Sequence, residues 1–76
     1  MLSKKREEGN MSDIFQISLA AARVNAGLTQ EAVAKEFHVS KNTIVNWEKG
    51  KVRPGTAQFE KLCRTYNIPA DNIFLP

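Results

Sequence analysis

Two short helical patterns joined by a tight turn, between residues 29 and 50, constrain this chain more than any other feature. Thr29 has a side-chain oxygen that accepts from the orphan N–H groups of a helix start, and Gln30 and Glu31 fill the first turn. Val33, Ala34 and Phe37 form the apolar stripe of that helix, which is expected to end near His38. Val39 then supplies an apolar plug and Ser40 a second N-cap. The following helix, expected over 41–49, buries Ile44 and Trp47 and stops at Gly50. A helix of about nine residues, a tight turn and a Ser-capped second helix is helix-turn-helix spacing. Ala34 falls where the two helices cross, and its small side chain permits close approach.

The flanking sequence supplies a frame for this unit. At 76 residues the chain holds one domain, and 42% apolar residues provide enough material for one core. Residues 1–12 read as a charged N-terminal arm and 13–76 as the folded domain. Ser12 or Asp13 is a candidate cap for a first helix reaching about Asn25. Its stripe would be Phe15, Leu19, Ala22 and Ala26, with Gly27 as the left-handed stop. Residues 51–55 form a loop confined by Pro54. Gly55 or Thr56 opens a fourth helix with Phe59, Leu62, Cys63 and Tyr66 inward, and Asn67 ends it. Ile68 returns to the core, Pro69 suits a helix start, and residues 70–74 make a short last turn. No strand pattern is visible, so the expectation is a compact five-helix, all-α domain.

Charge locates a surface. The chain carries a net +3. Residues 41–53 hold four bases, Lys41, Lys49, Lys51 and Arg53, against the single acid Glu48, so 4 − 1 accounts for that whole excess. A basic patch fits a polyanionic partner, and a solvated lysine face is the plainer alternative. The second helix of a helix-turn-helix lies in the DNA major groove with its N-terminal residues at base edges. Such a position needs a polar exposed start, and here it carries Ser40, Lys41, Asn42, Thr43 and Asn46.

Residues 26–34 (Ala-Gly-Leu-Thr-Gln-Glu-Ala-Val-Ala), 39–50 (Val-Ser-Lys-Asn-Thr-Ile-Val-Asn-Trp-Glu-Lys-Gly) and 53–54 (Arg-Pro) closely resemble the Cro/CI, lambda-repressor-like helix-turn-helix family. The resemblance runs from about Ile17 to Leu75. It implies that Lys41, Asn42, Thr43 and Asn46 read bases. Asn pairs bidentately with adenine, and Lys reaches guanine acceptors or a phosphate. It also implies that Gln30, Ser40, Lys49, Lys51 and Arg53 contact the DNA backbone, with Gln30 also bracing the recognition helix. Arg23 and Glu48 match a structural ion pair that locks that helix to the scaffold. Three positions depart from the pattern: Val45 on the exposed face, the large Trp47, and Pro69 where a Ser or Asp cap is common.

The expected function is sequence-specific transcriptional regulation by a small phage or mobile-element repressor bound to double-stranded operator DNA. The alternative is a protein-interaction module of the same fold, a modulator of a partner repressor or an antitoxin, favoured by Val45 and the apolar end Ile73, Phe74 and Leu75. Those end residues close the core or form a weak two-fold contact. His38 and Cys63 each stand alone, so neither a catalytic pair nor a metal site is expected, and no cofactor or small-molecule ligand is implied. Trp47, Phe37, Phe59 and Tyr66 lie on buried stripes rather than on a base-stacking platform. A single cysteine and the lack of a long apolar run suit a cytoplasmic protein with no membrane segment. In the arm, Glu7 and Glu8 offset Lys4, Lys5 and Arg6. Met11-Ser-Asp is a natural start for such a domain, and a purine-rich ribosome-binding stretch can be encoded just upstream, so residues 1–10 are expected to be partly a start-site artefact.

Overall fold

The computed structural model describes residues 15–76. Its elements run in order from β1 (Ile17–Ser18) through the helices α1 (Leu19–Asn25), α2 (Gln30–Phe37), α3 (Lys41–Lys49) and α4 (Thr56–Tyr66) to a 3-10 turn (Ala70–Asn72) and β2 (Ile73–Phe74). The fold is all-α in its architecture. Among the described residues it has four α-helices rather than five, because the last turn closes as 3-10 helix and passes at once into extended chain. It also has a strand pair where none was expected: β1 and β2 lie parallel, with Ile17 opposite Ile73 and Ser18 opposite Phe74.

That pairing moves the start of the first helix. The candidate caps Ser12 and Asp13 lie outside the described residues, as do the arm and the proposed boundary at residue 12. Within the described part, Ser18 is the N-cap of α1, and its hydroxyl accepts from the Ala21 N–H at 3.0 Å. Ile17–Ser18 are extended, and Phe15 and Gln16 before them are tied across the molecule. The Asn72 side-chain amide donates to the Phe15 carbonyl at 2.7 Å, and that of Gln16 donates to the Asp71 carbonyl at 3.2 Å. Phe15 is consequently 60% exposed, not part of the buried stripe, and Ala26 is exposed beyond the helix end.

Local chemistry sets the other ends. Thr29 and Ser40 accept from the N–H groups of Ala32 and Thr43, at 3.0 and 3.2 Å. Gly55 caps α4, with the Gln58 side chain accepting from its N–H at 2.9 Å. His38, Gly50 and Asn67 adopt the left-handed conformation that ends α2, α3 and α4. At Gly50 (φ +78°) any Cβ would also stand 2.8 Å from the Pro76 ring, so both backbone and packing require glycine.

The core gathers Leu19 and Ala22 of α1, Val33 and Ala34 of α2, Ile44 and Trp47 of α3, Leu62, Cys63 and Tyr66 of α4, and Ile73 of β2. Phe37 meets Trp47 edge to face, with ring centroids 6.0 Å apart. On its other side Phe37 carries the Lys61 ammonium 4.6 Å from its centroid, and that ammonium also donates to the Glu36 carbonyl at 3.1 Å. This anchors α4 to the end of α2. Of the three apolar end residues, Ile73 is buried and Leu75 packs on the core edge, whereas Phe74 is 53% exposed. Among the described residues no helix is long and apolar enough to cross a membrane.

Candidate nucleic-acid interface

The site grows from α3. Its buried side carries Ile44 and Trp47, each 3% exposed or less, one helical turn apart. Helical spacing then sends Asn42, Asn46 and Lys49 outward together, with Val45 between them. Asn42 and Lys49 are exposed; Thr43, Val45 and Asn46 are partly covered. Ser40 serves the helix start twice: its hydroxyl accepts from the Thr43 N–H and lies 3.0 Å from the Thr43 hydroxyl. Beyond the helix, Lys51 and Arg53 are exposed on the loop, and Pro54 is buried behind them. Of the expected contact residues, Ser40, Lys41, Asn42, Lys49, Lys51 and Arg53 are exposed, on α3 and its two flanks, whereas Gln30, Thr43 and Asn46 are partly covered.

A polar cluster behind α3 fixes its pose. Arg23 Nε donates to Glu48 Oε2 at 2.7 Å, and the two side chains are only 14% and 8% exposed. The same guanidinium donates to the Leu28 carbonyl at 2.9 Å, so one arginine ties α1, the α1–α2 loop and α3. Gln30 brings in α2: its Nε2 donates to Glu48 Oε1 at 2.9 Å. Glu48 is thus held by donors from both preceding helices, and its charge is matched inside the protein. Tyr66 abuts this cluster. Burial, reinforced by the nearby Glu48 charge, pushes its phenol up to about 12 from an ordinary 10.

One member of the interface escaped the sequence reading. Glu31, in the first turn of α2, meets Lys41 in the first turn of α3 with Nζ and Oε2 3.0 Å apart. Hydrogen bonding to that ammonium, with the helix-start backbone, holds the Glu31 carboxyl below its usual range. The signal was present as two oppositely charged first-turn residues on successive helices of the unit. Their contact depends on the crossing of those helices, which spacing alone does not give. Lys61, whose ammonium secures Phe37, was missed for the same reason.

Comparison with known proteins gives the family. The helix-turn-helix family profile matches residues 19–73. The chain is 38% identical over 53 residues to an HTH-type transcriptional regulator of Archaeoglobus fulgidus, covering 70% of this chain and 76% of that protein. It is 38% identical over 56 residues to the cryptic phage CTXphi transcriptional repressor RstR of Vibrio cholerae, covering 74% of this chain and 50% of the repressor. Identity to the HTH-type transcriptional activator BcrR of Enterococcus faecalis is 29% over 59 residues, 78% of this chain and 29% of the activator. No solved structure matches the chain. By this match over residues 19–73, the chain belongs to the Cro/CI-type helix-turn-helix family of DNA-binding transcriptional regulators.

Proposed function

We propose that this protein represses transcription by seating α3 in the major groove of an operator, in the manner of a small phage or mobile-element repressor. The observation that carries this reading is the bracing of α3 from behind. Arg23, Gln30 and Glu48 lock its inner side while Asn42, Asn46 and Lys49 lie free of the core on the other. Base readout needs this combination, because a bidentate Asn–adenine pair tolerates little helix movement. In this reading Asn42 and Asn46 address adenines, Lys41 and Thr43 complete base contact at the groove entrance, and Ser40, Lys49, Lys51 and Arg53 hold phosphates. Gln30 keeps its bond to Glu48 and offers its remaining amide hydrogen to the DNA backbone. Two weakly associating copies on half-sites one helical turn apart would read a pseudo-palindrome.

Selection of bound sites from random duplex DNA tests this reading, returning sequence, symmetry and spacing together. The expected result is one recurrent site. Asn46→Ala should then weaken binding by about 1–3 kcal/mol and relax preference at a single base pair, whereas Lys51→Ala should weaken all sequences alike. Unchanged specificity in Asn46→Ala would remove Asn46 from the readout. The exposed Phe74 and the outward Val45 favour a second reading, a modulator of a partner regulator. No selected site with the protein alone, and one with a neighbouring gene product added, would support that reading instead.

A further inference from the structure

Lys41 lies at the edge of the polar α3 face nearest the start of α2, where its ammonium is 3.0 Å from Glu31 and both side chains are more than half exposed. A lysine on four flexible carbons has many places to go on a DNA surface, and any phosphate attracts it equally. Glu31 restricts that choice. Its carboxylate sits in the first turn of an eight-residue helix, where the helix dipole favours negative charge and keeps it ionised.

We propose that Glu31 is a specificity-determining residue of the DNA-binding surface: it tethers the Lys41 ammonium at the start of α3, facing the groove, and withholds it from the phosphate backbone. The inference rests on the DNA-binding reading above. In a specific complex Lys41 reaches base acceptors at the helix start with the tether intact. On unrelated DNA, where no base acceptor is offered, Lys41 gains a phosphate only by leaving Glu31. The acid therefore costs non-specific binding more than specific binding. A solvent-exposed pair of this kind shifts the ratio of affinities by at most roughly five-fold.

Glu31→Gln, Lys41→Met and the double variant test it, titrated against the selected site and an unrelated duplex over a range of salt. Both substitutions are at exposed positions outside the core. For Glu31→Gln, affinity for unrelated DNA should rise about five-fold, with the salt slope steeper by about one counterion. Affinity for the selected site should change less, so that discrimination falls. In the Lys41→Met background, Glu31→Gln should leave discrimination unaltered. An NMR titration gives a readout without DNA: the Glu31 carboxyl should move up in Lys41→Met. If Glu31→Gln raises both affinities equally, with or without Lys41, the acid merely repels DNA and the proposal is overturned while the DNA-binding reading stands. If the protein binds no duplex at all, both fall.

Discussion

At the scale of single residues, Glu48 concentrates the most consequence. It accepts from Arg23 and Gln30 and is 8% exposed, so it joins α1, α2 and α3 through one carboxylate. Removing it leaves the Arg23 guanidinium in a pocket built for a pair, with the Leu28 carbonyl as its remaining partner. Loss of one member of a buried ion pair is more costly than loss of both. Glu48→Ala should destabilise the domain by about 2–4 kcal/mol in urea unfolding. Arg23→Met combined with Glu48→Leu should recover a substantial part of that loss. A double variant as unstable as the sum of its parts would show that the pair is not coupled. The residues themselves were legible as a family pair in the sequence. So was the bracing of α3 by Gln30, which the family resemblance implied, although not its partner Glu48; the Glu31–Lys41 pair was not legible, because it depends on how two helix starts meet in space.

At the scale of elements, the helices owe their ends to residues that the sequence shows openly. Thr29, Ser40, Gly50 and Asn67 all stand at the caps that their chemistry favours. The first helix was misplaced because Phe15, Leu19 and Ala22 happen to keep helical spacing across a stretch that the Ile17–Ile73 pairing draws into a strand. A pairing between residues so distant in the chain leaves no trace in local periodicity, and two-residue strands are too short for alternation to show. His38 is the least comfortable cap. It ends α2 at φ +56°, a conformation whose Cβ crowding costs an L-residue roughly 1–2 kcal/mol, part of which glycine gives back in chain entropy. His38→Gly should therefore stabilise the protein by about 0.5–1 kcal/mol, a rise of several degrees in Tm by calorimetry. A fall in Tm would mean that the imidazole supports the turn in a way its exposed position does not suggest.

At the scale of the whole molecule, the helices and the strand pair of residues 15–76 close over a core whose polar boundary is the Arg23–Glu48 cluster, and Tyr66 marks where the two meet. Its ring belongs to the core, at 6% exposure, while Glu48 bears on its phenol. Both burial and that charge oppose ionisation, placing the phenol near 12 in the folded chain against about 10 when unfolded. The sign follows from the protonated form being the one the fold favours. Below pH 10 the phenol is protonated in both states and its contribution is fully present. Between about 10 and 12 the unfolded chain releases the proton first, so stability falls by about 1.4 kcal/mol per pH unit from this group. Because the chain has one tyrosine, its phenolate absorbance reports this group alone. Titration of the native protein should give a midpoint near 12, moving towards 10 in denaturant. Tyr66→Phe should lose less stability than the parent between pH 10 and 12, while Glu48→Gln should lower the Tyr66 midpoint without abolishing the burial effect. A native midpoint near 10 would mean that the phenol reaches solvent, and the junction between core and polar lock would then be looser than its packing indicates.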